Sequence, residues 1–466
     1  MRLNDLPFDI VSLILWLLPR RHLSTVSRVC RTWRNAILPL LFKAIYLSKN
    51  YPNAFIRQIL DETNDTIPQS TKPKLSNYVQ RLSIHWRMNK QELEDFSLAL
   101  QKLENLRHIT WEVAPFPWMG WDNTIGLLHS KSPGLQSLRL IVDQDADAIG
   151  FNIGDENLAF QTDVAGLEPG DSDKTVVLTN LSKLSIEFRT PSSKRPVRVP
   201  QEIVSLIRSA RNLESLRLDF GRLETNWSSS RISWGAADIF TFLPSDYFPN
   251  LRSIRIRSSN LAKLGVFGGP ELCRFLENHN HLEELVISPI RRVGVPANVG
   301  TTVPQVVERL MPSIRRFTGT TPSVNALLGS RLARQLEALE LFVYPRDSLE
   351  TGVSELPCLN ELRLRISYPG RNREWKTIWD VLGNLASRTT ALRELSIETY
   401  GLCTADELPS LLHALSRLPN LLQLIIIYRE DYLLPGRDIP SFSQDIRDRI
   451  ARDFPLLRVI VTQSLL

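Results

Sequence analysis

Cysteine is scarce. The four residues Cys30, Cys273, Cys358 and Cys403 are scattered, and none forms a CxxC pair, so neither a disulfide framework nor a thiolate metal site is expected. A reducing compartment suits such a chain, and a cytoplasmic or nuclear location is expected. Long apolar runs are missing too: none reaches the roughly 18 residues that span a bilayer, so no membrane insertion is expected. No P-loop, GxGxxG fingerprint, HExxH or GxSxG occurs, and no nucleophile stands at a plausible spacing from a base. Neither catalysis nor a cofactor is expected. What is present is globular, because 43% hydrophobic and 23% charged residues exclude a disordered or collagen-like chain. The length of 466 residues allows several ordinary domains or one long solenoid.

The apolar stretch from Ile10 to Leu18 has the length of a secretory signal core. Asp5 and Asp9 stand where such a signal needs cations, and Pro19-Arg20-Arg21 replaces its small-residue cleavage site, so secretion is not expected. The sequons at Asn64, Asn180 and Asn226 then carry no meaning. The net charge of +6 has a location: residues 1–50 hold eight basic residues against Asp5 and Asp9, and the remaining 416 residues balance to zero. A compact basic module in front of a neutral body suits docking to one acidic partner better than it suits nucleic acid.

Through most of the chain a pattern Leu-x-x-Leu-x-Leu recurs, with Ile, Val or Phe allowed. Clear copies start at Leu135, Leu181, Leu213, Leu251, Leu282, Leu336, Leu359, Leu392 and Leu421, and weaker ones at Val79, Leu106, Ile314 and Leu456. The twelve intervals cover 377 residues, a mean near 31, which is the size of one strand plus one helix. Each copy reads as a short strand whose alternate side chains face inward. The segments between them carry helical stripes: Ile203, Leu206, Ile207 and Ala210; Val303, Val306, Val307 and Leu310; Leu408, Leu411, Leu412 and Leu415. A helix with one such stripe cannot bury it alone, so strands stack into a parallel inner sheet with helices outside. A purely helical array is disfavoured by units such as Leu421 to Tyr428, and an ordinary α/β sheet by the number of repeats.

These copies resemble the leucine-rich repeat in an irregular form, over about residues 79–466. The expected fold class is α/β, a solenoid of parallel inner strands and outer helices. One departure stands out. The position three after the last Leu, where many such repeats carry Asn or Cys, holds Asp143, Arg189, Gly221, Ser259 or Tyr400.

Ahead of the repeats, residues 3–33 read as short helices broken at Pro19, with Ile10, Leu13, Ile14 and Leu17 at helical spacing and then Leu23, Val26, Val29, Cys30 and Trp33. Such a small core is stabler with a partner. The run LP-x2-I-x3-I-x2-LLP-x3-L-x2-VS-x-VCR-x-W, beginning at Leu6, is similar to the F-box, and Pro39 to Leu47 resembles the strand leading from an F-box into its substrate domain. The expected division is an F-box over 1–47, a linker with the first strand and helix of the solenoid over 48–78, and the repeat domain over 79–466.

What the resemblance implies is the substrate-recognition subunit of a Skp/cullin/F-box ubiquitin ligase, non-catalytic, bound to a Skp-family adaptor and through it to a cullin, with an unknown protein substrate on the repeats. The alternative is a Skp-bound interaction scaffold with no role in ubiquitylation. Carried over by position, Leu6, Pro7, Ile10, Ile14, Leu23, Val26, Val29, Cys30 and Trp33 contact the adaptor or form the core behind it, the two roles being equally open to apolar residues.

On the repeats, residues between the motif leucines point away from the core. That places Arg217, Arg255, Arg257, Arg363 and Arg365 on the open face with Glu340, Phe342 and Glu398. The arginines and Phe342 are the candidate substrate contacts, since a guanidinium clamps carboxylate or phosphate through two parallel hydrogen bonds; a merely solvated face is the simpler reading. His279 and His281 resemble metal ligands but lack a third donor nearby, and a helix end explains them better. The stretch Asp143 to Asp173 holds nine acidic residues and no Lys or Arg, and reads as a solvated insertion or an acidic partner loop. Trp111 to Trp121 is aromatic and reads as packing at a rim or as a protein-binding edge.

Overall fold

The structure, a computed structural model, describes residues 7–48, 52–62, 74–85, 88, 90–113, 128, 132, 134–143, 178–189, 201–220, 236–243, 248–258, 269–289, 303–344, 349, 354–366, 374–399, 407–429 and 439–464. Two compact units divide the chain between Leu213 and Glu214.

The first unit opens with three helices, α1 (Phe8–Leu17), α2 (Arg20–Val26) and α3 (Arg31–Phe42). Strand β1 (Ala44–Ser48) and helix α4 (Pro52–Asp61) follow, then β2 (Arg81–His85), α5 (Lys90–Leu100), β3 (His108–Val113), β4 (Ser137–Asp143), β5 (Lys183–Arg189) and α6 (Gln201–Ser209). Its strands pair in parallel in chain order. The second unit runs β6 (Ser215–Asp219), α7 (Ala236–Phe242), β7 (Ser253–Ser258), α8 (Gly269–Glu277), β8 (Glu284–Pro289), α9 (Pro304–Leu310), β9 (Arg316–Thr320), α10 (Thr321–Leu328) and β10 (Ala338–Val343). It continues with β11 (Glu361–Ile366), α11 (Glu374–Ala386), β12 (Glu394–Thr399), α12 (Leu408–Ser416), β13 (Gln423–Arg429), α13 (Ile439–Asp453) and β14 (Arg458–Ser464). Here too the strands are parallel and sequential. Both units are therefore stacks of α/β repeats, the first of them carrying a small helical head.

Each strand from β2 to β14 starts two residues after the first residue of a motif copy. The reason is a recurring turn. The N–H of the first motif residue donates three residues back, as Leu213 does to Ala210 and Leu392 to Thr389, and the next two N–H groups share one carbonyl of the preceding copy. Arg107 and His108 bond Gln80 in this way, and Arg393 and Glu394 bond Asn360. Gln80 and Arg81 bond Lys43 alike, which makes Phe42 to Leu47 (FKAIYL) a fourteenth copy leading into β1. The first strand of the sheet thus lies at Ala44–Ser48, in the segment Pro39 to Leu47 read as the strand leading out of the head rather than within 48–78, and the head runs into the repeats with one residue, Lys43, between α3 and β1.

Motif positions form the core: Leu82, Ile84, Leu138, Leu184, Leu216, Ile254, Leu285, Leu362, Leu395 and Leu424 are all buried. The stripe Ile203, Leu206, Ile207 and Ala210 of α6 is buried as expected. In α9 the face is rotated: Val303 caps the helix, 53% exposed, and Val307, Leu310 and Met311 are buried, because the helix begins only at Pro304. The missing Asn after each strand has a counterpart before it. Asn105, Asn212 and Asn420, each immediately ahead of a motif, donate through Nδ2 to the carbonyls of Asn77, Thr179 and Thr390 at 2.7–2.8 Å. Gln335 does the same to Pro312. These amides tie successive turns together where the strands enter.

At the far end, Arg458 N–H bonds Leu422, the residue just ahead of β13, so by the alternation of a parallel ladder Val461 turns its carbonyl to the open edge. Arg447 of α13 donates to that carbonyl at 2.5 Å.

Candidate docking surfaces

The helical head has a core of Val11, Leu15, Leu23, Ala36 and Ile37, with Leu18, Val26, Trp33, Leu40 and Leu41 packed against it. Val11 and Leu15 are one turn apart, so α1 buries a stripe turned by about a third of a circle from the one its sequence spacing indicates. Ile10, Leu13 and Ile14 are 44%, 58% and 36% exposed, Trp16 and Leu17 both 72%, and Val29, just after α2, 69%. The cause is composition: α1 is apolar nearly all round, and a head of this size can cover only one side.

The nine head candidates therefore divide. Leu6 lies outside the described residues. Pro7 is exposed and accepts the first helical hydrogen bonds of α1, from Ile10 and Val11. Ile10, Ile14 and Val29 face outward, Leu23 is core, and Val26 and Trp33 are half-buried against it. Cys30 caps α3, its sulfur accepting from Trp33 N–H at 3.5 Å. Trp16 belongs to the exposed set and is not among the sequence candidates; the continuous apolar circumference of α1 is the signal that identifies it. The head is fastened to the sheet by Arg20, whose Nη2 donates to Leu41 O at 2.9 Å and Ala44 O at 2.5 Å.

On the open face of the second unit the arginines are paired. Asp219 lies 3.2 Å from Arg217 and 3.6 Å from Arg257. Arg255 holds Glu284 with two contacts, at 2.8 and 3.2 Å. Arg365 sits between Glu340 and Glu398, at 2.8 and 2.6 Å, with its guanidinium 5.7 Å from the Phe342 ring. Phe342 is only 6% exposed beneath it. Among the described residues, Arg363 alone of the five arginines has no carboxylate partner. An incoming anion would have to displace resident carboxylates at the other four.

The open face of the first unit is different. Arg81, His108, Ser137 and Lys183 stand in register across β2 to β5. Burial, then the charges of Arg81 and Lys183, push the His108 pKa below its ordinary value. Two acids on this face are engaged, Glu112 with His85 Nδ1 at 3.0 Å and Glu187 with Arg139. Tyr46 stacks on His85 with ring centres 4.6 Å apart.

The remaining sequence candidates resolve simply. His279 follows α8, buried, with Nδ1 2.6 Å from Phe275 O and its ring stacked on Phe275. Among the described residues no group of three His, Cys, Asp or Glu is placed to hold a metal, and no helix is long and apolar enough to cross a membrane. Trp111 is core, edge-on to Phe96 at 5.6 Å. Residues 114–121 and 144–173, which carry the rest of the aromatic and acidic stretches, lie outside the described residues.

Residues 3–48 match the model of the family described as F-box-like. No curated protein matches the chain. Among solved structures it is similar to a chain of the Rad7 and Elc1 complex in yeast, at 11% identity and a TM-score of 0.33, over 92% of this chain and 91% of that one. The helical head is thus an F-box-like domain, and it leads directly into a stack of α/β repeats.

Proposed function

We propose that this chain is the substrate-recognition subunit of a Skp/cullin/F-box ubiquitin ligase, with no chemistry of its own. The observation that carries the reading is the apolar surface of the F-box-like head: Ile10, Leu13, Ile14, Trp16 and Leu17 are exposed on α1, and Val29 is exposed after α2. Burying large side chains contributes about 1.5–3 kcal/mol each, so a patch of this size left in water is a strong drive to associate. A Skp-family adaptor is the partner. Arg21, Arg28, Arg31 and Arg34, exposed on the same head, suit an acidic one. The repeats then hold a protein substrate, and the first of them is joined to the head through Lys43 alone. Such a role implies a cytoplasmic or nuclear location.

The test is co-expression with a Skp-family adaptor. The full chain should copurify with it, a Leu13→Asp/Leu17→Asp variant should not, and a captured substrate should lose ubiquitylation when the chain is deleted. Adaptor capture unaffected by the double variant refutes the docking surface. Capture with no substrate losing ubiquitylation refutes the receptor role.

A further inference from the structure

The open face of the second unit changes character at its far end. From β6 to β12 its two central rows are charged or hydroxylic, apart from Val286 and Phe342. On β13 and β14 the same rows hold Ile425 beside Ile460, with Ile427 two residues further along β13. All three isoleucines are half-buried, while alternation sends Leu424, Ile426 and Val461 to the core. Ile425 and Ile427 lie roughly 7 Å apart along the strand and Ile460 roughly 5 Å across, so the patch has the footprint of one large side chain. Polar groups border it on one side. Ser396, in register with Ile425, is only 1% exposed, and among the described residues its hydroxyl has no hydrogen-bond partner. Arg363 follows in register, half-buried and without a carboxylate partner among the described residues.

We propose that the patch Ile425–Ile427–Ile460 seats one large, uncharged apolar side chain of an unmodified protein segment, whose main-chain carbonyls accept from Ser396 and Arg363; the site rests on the receptor role proposed above and gives it a substrate class. Three features fit this occupant. Half-buried isoleucines on a face that is otherwise polar gain by being covered with apolar surface. A buried hydroxyl without a partner costs free energy, and a peptide carbonyl laid over Ser396 recovers it. Charge around the patch supplies no pull on an anion: Arg363 and Arg365 are balanced by Glu340 and Glu398, and the row of strand starts adds Glu361, Glu394 and Arg458, one net negative charge. A phosphorylated or acidic side chain would therefore meet a field of the wrong sign, whereas a peptide carbonyl needs donors and no net charge.

The test uses the full chain with its adaptor and an array of peptides with randomised polar flanks and one central position set to Ser, Leu, Met, Phe, Asp or phosphoserine. Leu, Met or Phe should bind at least about tenfold tighter than Ser, and Asp and phosphoserine no tighter than Ser. Ile425→Thr/Ile427→Thr, which keeps both positions β-branched, should lower binding of the apolar set about tenfold, and Ser396→Ala about threefold, while Arg255→Ser leaves it unchanged. Because the contact is uncharged, binding by the parent should change by less than about twofold between about 0.05 and 0.5 M salt, a readout that needs no variant. Equal binding of the Ser and Leu peptides, preference for phosphoserine or Asp, steep loss with salt, or full binding by the folded double variant would overturn the proposal. Adaptor capture is scored on the same samples: peptide binding without it supports the site and overturns the receptor reading, whereas capture without peptide binding overturns only the site.

Discussion

Arg20 Nη2 donates to the carbonyl oxygen of Ala44, joining the second helix of the head to the first residue of the first strand. The same nitrogen reaches Leu41 O, so one guanidinium closes the turn in which α3 gives way to β1. Head and sheet are therefore held by a side chain as well as by the main chain.

Arg20→Met removes both bonds while keeping the stem. The expected loss is about 1–2 kcal/mol at this joint, since exposed hydrogen bonds contribute modestly. Amide exchange at Ile45 and Leu47 should accelerate while the F-box core stays protected, and equal exchange in variant and parent would show that the main chain alone holds the joint.

Leu15 and Leu17 are two residues apart on α1 and should behave oppositely. Leu15 is fully buried, so Leu15→Ala should cost about 2–5 kcal/mol of stability of the head. Leu17→Ala, at 72% exposure, should change stability by about 0.5 kcal/mol or less and instead weaken adaptor binding. Denaturant midpoints and adaptor titrations separate the two effects.

For His108 the folded pKa lies below the unfolded value, so between them the unfolded chain binds more protons. Its contribution to stability is whole above the ordinary value of 6.5 and is lost as pH falls below it towards the folded pKa. Imidazole proton shifts should titrate below the ordinary range in the parent and move up in Arg81→Ala. A downward move would contradict the charge arrangement.

Cys358 is exposed, whereas burial and then the nearby Glu277 raise the Cys273 thiol pKa. Alkylation near pH 8 should label Cys358 first and Cys273 slowly. Comparable rates at the two thiols would argue that α8 opens readily.

Legibility in the sequence follows how strongly each physical rule is forced. A motif leucine has one place to go, so the strand starts at Ser137, Ser215 or Glu394 can be read two residues after Leu135, Leu213 and Leu392. The segment Pro39 to Leu47 reads as the strand leading out of the head, but that its FKAIYL is a copy of the repeat becomes plain only from the bonds of Gln80 and Arg81 to Lys43. On α1 the spacing of Ile10, Leu13, Ile14 and Leu17 is helical in sequence and in structure, but which of two apolar stripes faces inward depends on α3, which local periodicity does not contain. The face of the open-sheet arginines is likewise legible from alternation. Their pairing is not, because Asp219 and Arg257 meet only once the strand register is known.

The bond from Arg447 to Val461 reaches beyond its own pair of atoms. A stack of parallel strands has no intrinsic stopping point, since its final ladder offers the same donors and acceptors that seated every earlier strand. By occupying the acceptor at the middle of β14, Arg447 makes the last described edge a poor template, and a foreign strand would first have to evict a guanidinium.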